Sequence, residues 1–243
     1  MLVSMWLNKD GPGYIQAINK DTVLCMSIAK TAGSTGCAIH NYAFKKCGLN
    51  FVYKSFSTND VKGAMDAMRT LGIRGCGVTM PHKIDVLKYV NELSDEVIEI
   101  GSANTIVNNN GHLTAYNTDV YSSSCILSDV KDKDKIYILG AGGFSKAVQY
   151  SAKKYFKNIE IITRDNWDVI DKIEKGTIFN CTPVDNIHPH KDVNFIDCIV
   201  TTTTGKRLAI LQASKQFELY TGSDFPIDDI MTNYNDILNE VSQ

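Results

Sequence analysis

Lys83 follows the run Val78-Thr79-Met80-Pro81-His82, and Asp119 closes the run Asn117-Thr118-Asp119. An ammonium with a carboxylate beside it suits the reduction of a ketone by hydride. The alkoxide that forms needs a proton and a fixed neighbouring charge, and the pair supplies both. Between them, Ser102-Ala103-Asn104-Thr105 adds an amide and hydroxyls able to orient a polyhydroxy ring. Spacing alone does not bring Lys83 to Asp119. Taken singly, each residue is more simply read as part of a surface ion pair or an Asx turn.

A second cluster is made of backbone rather than side chains. The apolar run Ile136-Tyr137-Ile138-Leu139 leads into Gly140-Ala141-Gly142-Gly143 and then into a helical pattern through Ala147, Val148 and Ala152. A strand, a glycine turn and a helix N-terminus cradle a dinucleotide pyrophosphate: Gly140 permits the tight turn, Gly142 lets the backbone approach, and the helix amides donate. The third small position is Ser145. An ordinary tight turn between strand and helix is the competing reading. A site for NAD expects an acid at the end of the next strand, about 20 residues on. Glu160 has that count but sits inside the strand, which ends at Thr163-Arg164-Asp165. A cation there suits a ribose 2′-phosphate and favours NADP over NAD.

The elements that must hold these groups form two successive α/β units. In the first, Val23–Ile28 reads as a buried strand, with a helix from near Cys37 to Gly48. Phe51–Phe56 is a strand, Asn59 caps a helix to Leu71, and Gly75–Met80 is a third strand. The second unit begins after the charge run 131–135, with strands at 136–139, 159–163, 177–180 and 194–200.

Composition agrees with an ordinary globular protein: 243 residues, 44% hydrophobic and 21% charged. Lys and Arg number 25 against 27 Asp and Glu, so no basic surface for nucleic acid is expected. No apolar run is long enough to cross a bilayer, and the Gly11-Pro12-Gly13 region does not read as a secretory signal. The seven scattered cysteines fit reduced thiols in the cytoplasm. His40 reads as a satisfied helix histidine, and His82 is expected to face solvent. His188 and His190 have no further ligands at recognisable spacing, so no metal is assigned.

Taken in order, Val78-Thr79-Met80-Pro81-His82-Lys83, Ala103-Asn104-Thr105 and Asn117-Thr118-Asp119 resemble the shikimate dehydrogenase family. Its wording is VT-x-P-x-K, VNT and NTD. Ser34 to Asn41 resembles its S-x-S-P-x-x-H-N, Gly140 to Ala147 its NADP loop, Asn180-Cys181-Thr182-Pro183 its N-x-T-P, and Leu211-Gln212-Ala213 its x-Q-A. The resemblance runs from about Leu24 to Gln212. It implies an α/β fold: an N-terminal substrate domain with a mostly parallel sheet, a shortened Rossmann NADP domain, and a cleft between them. Residues 1–118 with 206–243 would form the first domain and 119–205 the second. The implied reaction is reversible NADP-linked reduction of 3-dehydroshikimate to shikimate, or of a quinate-like or amino-substituted analogue. The alternative is a catalytically weak relative that binds such a ligand as a sensor or partner protein. Lys83 and Asp119 would be catalytic. Ser34, Thr79, Asn104 and Gln212 would hold the substrate, and Gly140, Gly142, Gly143 and Arg164 the NADP. The partners implied are small molecules, with no nucleic acid and no membrane, for a cytoplasmic monomer or homodimer.

The wording departs from the family at several places, which suits a divergent, shikimate dehydrogenase-like branch. The second serine of S-x-S is Gly36, the next proline is Cys37, and a family tyrosine is Val200. The helix usual between Asp197 and Gly205 is missing. Arg207 takes a place where the family often has a glycine against the nicotinamide, and is expected to crowd the cofactor.

Overall fold

The computed structural model of the chain describes residues 18–240; the Gly11-Pro12-Gly13 region lies outside the described residues. The first unit contains β1 (Val23–Ala29), α1 (Thr35–Lys46), β2 (Phe51–Ser57), α2 (Val61–Leu71) and β3 (Gly75–Val78). It continues with β4 (Glu92–Leu93), α3 (Asp95–Ile100), β5 (Thr105–Asn109) and β6 (His112–Tyr116). Its six strands run in the order β2-β1-β3-β5-β6-β4. The β1–β2, β1–β3 and β4–β6 pairs are parallel, and β5 is antiparallel to both neighbours. All four residues of β3 are buried, so the strand reads as a continuous small or apolar run rather than an alternation.

The second unit contains α4 (Asp119–Ser128), β7 (Lys135–Leu139), α5 (Gly143–Ala152), β8 (Asn158–Ile162), β9 (Gly176–Asn180) and β10 (Val193–Asp197). Its four strands are all parallel, in the order β10-β9-β7-β8. This is a shortened Rossmann-type sheet. Between β7 and β9 the strand order reverses, and such a point opens a crevice at the carboxyl ends of the strands. Gly140 leaves β7 there and Thr182 follows β9.

Two helices close the chain, α6 (Thr203–Thr221) and α7 (Ile227–Glu240). One face of α6 buries Ile210, Ala213 and Phe217 against Ile39 and Phe44 of α1. Another face puts Leu208 and Leu211 into the second core with Ile126, Leu127 and Ile196. A fully buried side chain of this size contributes about 2 kcal/mol, so α6 is anchored in both units and Gln212 sits between them. Lys153 and Glu99 add a 2.6 Å ion pair from α5 to α3, on exposed side chains.

Three boundaries differ from the expectation. Asp60, not Asn59, caps α2: its Oδ1 accepts from the Gly63 amide at 2.8 Å. Asn and Asp are equally good caps, so residue type could not choose between them. The strand at 75–80 stops at Val78, because the chain turns and the His82 amide bonds back to the Thr79 carbonyl at 2.9 Å. The last strand ends at Asp197, where the carboxylate accepts from the Ile199 amide at 3.1 Å and makes an Asx turn.

Candidate active site

The turn after β3 presents Lys83, while Asp119 is the first residue of α4, where a helix N-terminus favours a carboxylate. Lys83 Nζ donates to Asp119 Oδ2 at 2.6 Å, with the two side chains 15% and 7% exposed. A pair this short and this sheltered is a charge-assisted hydrogen bond rather than a screened surface contact.

Asn104 fixes the other side of the carboxylate. Its Nδ2 donates to Asp119 Oδ1 at 2.9 Å, to Thr118 Oγ1 at 3.0 Å and to Gln212 Oε1 at 3.3 Å. Its Oδ1 accepts from the Thr118 amide at 2.8 Å and from Thr105 Oγ1 at 2.8 Å. Two N–H groups cannot serve three acceptors fully, so the longest contact, to Gln212, is the one most readily released to a ligand. Asn117 steadies the same loop by donating to the Ser102 carbonyl at 2.9 Å. On α6, Gln216 donates to Thr105 Oγ1 at 2.9 Å, one helical turn beyond Gln212.

Of these groups, Lys83, Asn104, Gln212 and Gln216 border a cavity of about 250 Å³ whose wall also includes Thr35, Tyr53 and Thr79. Of the residues expected to hold a substrate, Thr79, Asn104 and Gln212 are in this wall. Ser34 is not: it is the exposed N-cap of α1, and Gly33, Thr35 and Gly36 form the edge there. Residue type alone gave no signal for Ser27, Tyr53, Ser55 or Gln216, which lie on strands or a helix and read as core. A larger cavity, of about 590 Å³, lies between α4, β10 and α6. It is lined by none of the residues expected to be catalytic or to hold substrate or cofactor, whereas Thr79, Lys83, Asn104 and Gln212 line the smaller one.

The glycine turn meets this site from the second unit. Gly140 has φ +101°, and a Cβ there would lie 2.9 Å from Thr182 Cγ2. Ser145 donates from Oγ to the Gly140 carbonyl at 2.5 Å, tightening the turn where a smaller residue was expected. Gly142 is the N-cap of α5, and a Cβ there would have nothing within 4 Å, so the backbone is open to approach. A Cβ on Gly143 would lie 3.4 Å from Lys83 Cδ, which sets the turn directly against the lysine stem. The first amides of α5 have no intrahelical acceptor, and Arg164 is exposed just past β8. This open backbone, donor end and cation fit a phosphorylated dinucleotide.

Two expectations are corrected. His82 is buried rather than solvent-facing, with Nε2 2.8 Å from the Thr58 carbonyl. Arg207 does not lean on a cofactor site. It forms a 2.9 Å ion pair with Asp129 and lines the larger cavity. A close approach of backbone to backbone occurs two residues earlier, at Gly205, where a Cβ would meet the Ile199 carbonyl oxygen at 2.0 Å. Val200 is half exposed between β10 and α6. All seven cysteines are free thiols, and burial pushes Cys198 up to about 11. Among the described residues, no three His, Cys, Asp or Glu side chains form a metal cluster, and no helix is long and apolar enough to cross a membrane.

A profile of the shikimate dehydrogenase substrate binding domain matches residues 29–106. A shikimate dehydrogenase-like protein of Haemophilus influenzae is 41% identical over 151 residues, covering 61% of this chain and 56% of that one. The shikimate dehydrogenase (NADP(+)) of Pyrococcus furiosus is 40% identical over 129 residues, covering 52% of this chain and 47% of its own. Over the matched residues the chain is similar to the shikimate dehydrogenase family. It spans about half the length of the sequence relatives it matches. Among solved structures, a shikimate 5-dehydrogenase-like protein superposes with a TM-score of 0.82 at 29% identity, covering 92% of this chain and all of that one. A shikimate dehydrogenase in complex with NADP+ gives 0.79 at 27% identity, covering 93% and 98%. The family resemblance in Lys83, Asn104 and Asp119 therefore extends to the whole described fold.

Proposed function

We propose that the protein is an NADP-dependent oxidoreductase of the shikimate dehydrogenase type, reversibly reducing 3-dehydroshikimate to shikimate or a close analogue. The observation that carries this reading is the 2.6 Å contact between Asp119 and Lys83, which lines the cavity, with the glycine turn packed on the lysine stem. Residues 1–118 with 206–243 would serve the substrate and 119–205 the cofactor. The NADP(+) named for relatives supports the cofactor, and exposed Arg164 supports a 2′-phosphate.

When bound, NADP(H) supplies or accepts the hydride. Gly140, Gly142 and Gly143 with the α5 amides would hold its phosphates, and Arg164 the 2′-phosphate. Lys83 points its ammonium at the ligand oxygen and gives or takes the proton there. Asp119 holds the ammonium in place and balances its charge, and Asn104 prevents the carboxylate from turning. Thr79, Asn104 and Gln212 bind hydroxyls of the ring, with Ser34 at the rim.

Ligand binding without turnover is a second reading, favoured by the four-stranded second sheet. An absorbance assay for NADPH formation from shikimate and NADP separates the two. A steady rate that vanishes in Lys83→Ala supports the enzyme; thermal stabilisation by shikimate with no rate supports the binding protein.

A further inference from the structure

His40 lines the same cavity and is used by nothing described so far. It lies one helical turn after Gly36 on α1. Its ring is fully buried and stacked on Tyr53, with centroids 4.3 Å apart and planes 14° from parallel. Its Nδ1 is 2.9 Å from the Gly36 carbonyl oxygen. That oxygen only accepts, so Nδ1 carries the proton and Nε2 is left as a lone-pair acceptor. Nε2 is buried and has no hydrogen-bond partner among the described residues. Its polar neighbours are already engaged. Ser27 and Ser55 pair at 2.9 Å, Cys37 and Ser55 at 3.0 Å, and Asn41 spans the Tyr53 backbone at 2.8 and 2.9 Å.

An orphaned acceptor at a cavity wall calls for a donor. We propose that His40 is a ligand-contacting, specificity-determining residue, whose Nε2 accepts a hydrogen bond from a ring hydroxyl of the bound molecule. The inference rests on the reading of this cavity as the site for a polyhydroxy ring carboxylate. A carboxylate oxygen has no proton to give and is repelled by the lone pair, so His40 selects a hydroxyl at this wall and turns the carboxylate elsewhere. The hydroxyl is not the one at the reacting carbon, which belongs to Lys83. Shikimate and quinate both offer candidates, and quinate adds one on the carbon that bears the carboxylate.

The other buried group without a partner in this aromatic cluster is the Tyr220 hydroxyl, whose ring lies 6.1 Å from that of His40. Tyr220 is not in the cavity wall, and the test must tell its hydroxyl from a ligand's. The parent protein, labelled with nitrogen-15 histidine, is titrated with shikimate and, separately, with quinate. The expected result is an upfield movement of the His40 Nε2 resonance at saturation, with Nδ1 still, in the parent and in Tyr220→Phe alike. His40→Phe should weaken the responding ligand about tenfold. An analogue lacking the partnering hydroxyl should bind parent and variant equally, which a merely structural effect would not produce. Binding with no Nε2 response, or a response that Tyr220→Phe abolishes, overturns the role of His40. Failure of both compounds to bind the parent overturns the reading of the cavity and this proposal with it.

Discussion

Asn104 and Lys83 hold opposite oxygens of one carboxylate: Asn104 Nδ2 is 2.9 Å from Asp119 Oδ1 and Lys83 Nζ is 2.6 Å from Asp119 Oδ2. The amide and the ammonium come from the first unit, and the carboxylate opens the first helix of the second. Any relative movement of the two units therefore acts on this junction, and its geometry sets how the ammonium is aimed.

Lys83→Met keeps most of the side-chain volume and removes the charge. Turnover of shikimate with NADP should fall by about 10²–10⁴, the usual worth of a positioned proton donor. Shikimate affinity, read by calorimetry, should change by only a few-fold. A variant rate equal to the parent's would remove Lys83 from proton transfer.

The polar groups of this junction were legible because each sits in a short run whose wording survives in sequence. Val78-Thr79-Met80-Pro81-His82-Lys83 is one turn, and Asn117-Thr118-Asp119 is one helix entry. What stayed hidden depended on side-chain direction. Tyr53 and Ser55 lie on a strand that reads as core, and only the fold turns them to the cavity. His40 was half understood: its Nδ1 is satisfied within the helix as expected, and the orphaned Nε2 is visible only once Tyr53 is stacked on the ring. Arg207 lies two residues beyond Gly205, and its side-chain direction is set by the helix phase. Two residues turn a helix by about 200°, so one faces the Ile199 carbonyl and the other faces away.

That phase difference gives opposite outcomes for two neighbouring substitutions. Gly205→Ala puts a methyl 2.0 Å from the Ile199 oxygen and must displace the start of α6. It should cost about 3 kcal/mol, seen as a lower urea midpoint. Arg207→Ala breaks an ion pair whose side chains are 42% and 59% exposed, so it should cost under about 1 kcal/mol and leave turnover unchanged. A rise in rate for Arg207→Ala would restore the crowding that the ion pair with Asp129 argues against.

Arg164 is exposed at the end of β8 and has no ion pair among the described residues. Arg164→Asp should lower kcat/KM with NADP relative to NAD by about ten- to a hundredfold, the worth of a lost charge-assisted contact plus a repelling carboxylate. Steady-state kinetics with both cofactors measure the ratio. An unchanged ratio places the 2′-phosphate elsewhere.

His40 also makes stability depend on pH in a way that isolates it from the carboxylates. Burial lowers it from 6.5 to about 4 in the folded protein, opposed only by its hydrogen bond to Gly36. Above pH 6.5 the ring is neutral folded and unfolded, and its contribution is complete. As the pH falls, the unfolded chain takes the proton first, and stability drains away until the folded ring also protonates near pH 4. The loss attributable to this one group approaches about 3 kcal/mol at the acid end. Urea unfolding of the parent and of His40→Phe between pH 7.5 and 4.5 reads it out. Carboxylates titrate in both proteins and cancel, so the gap between the two curves should shift against the parent as the pH drops. A gap independent of pH would mean that burial does not hold the ring neutral in the folded protein.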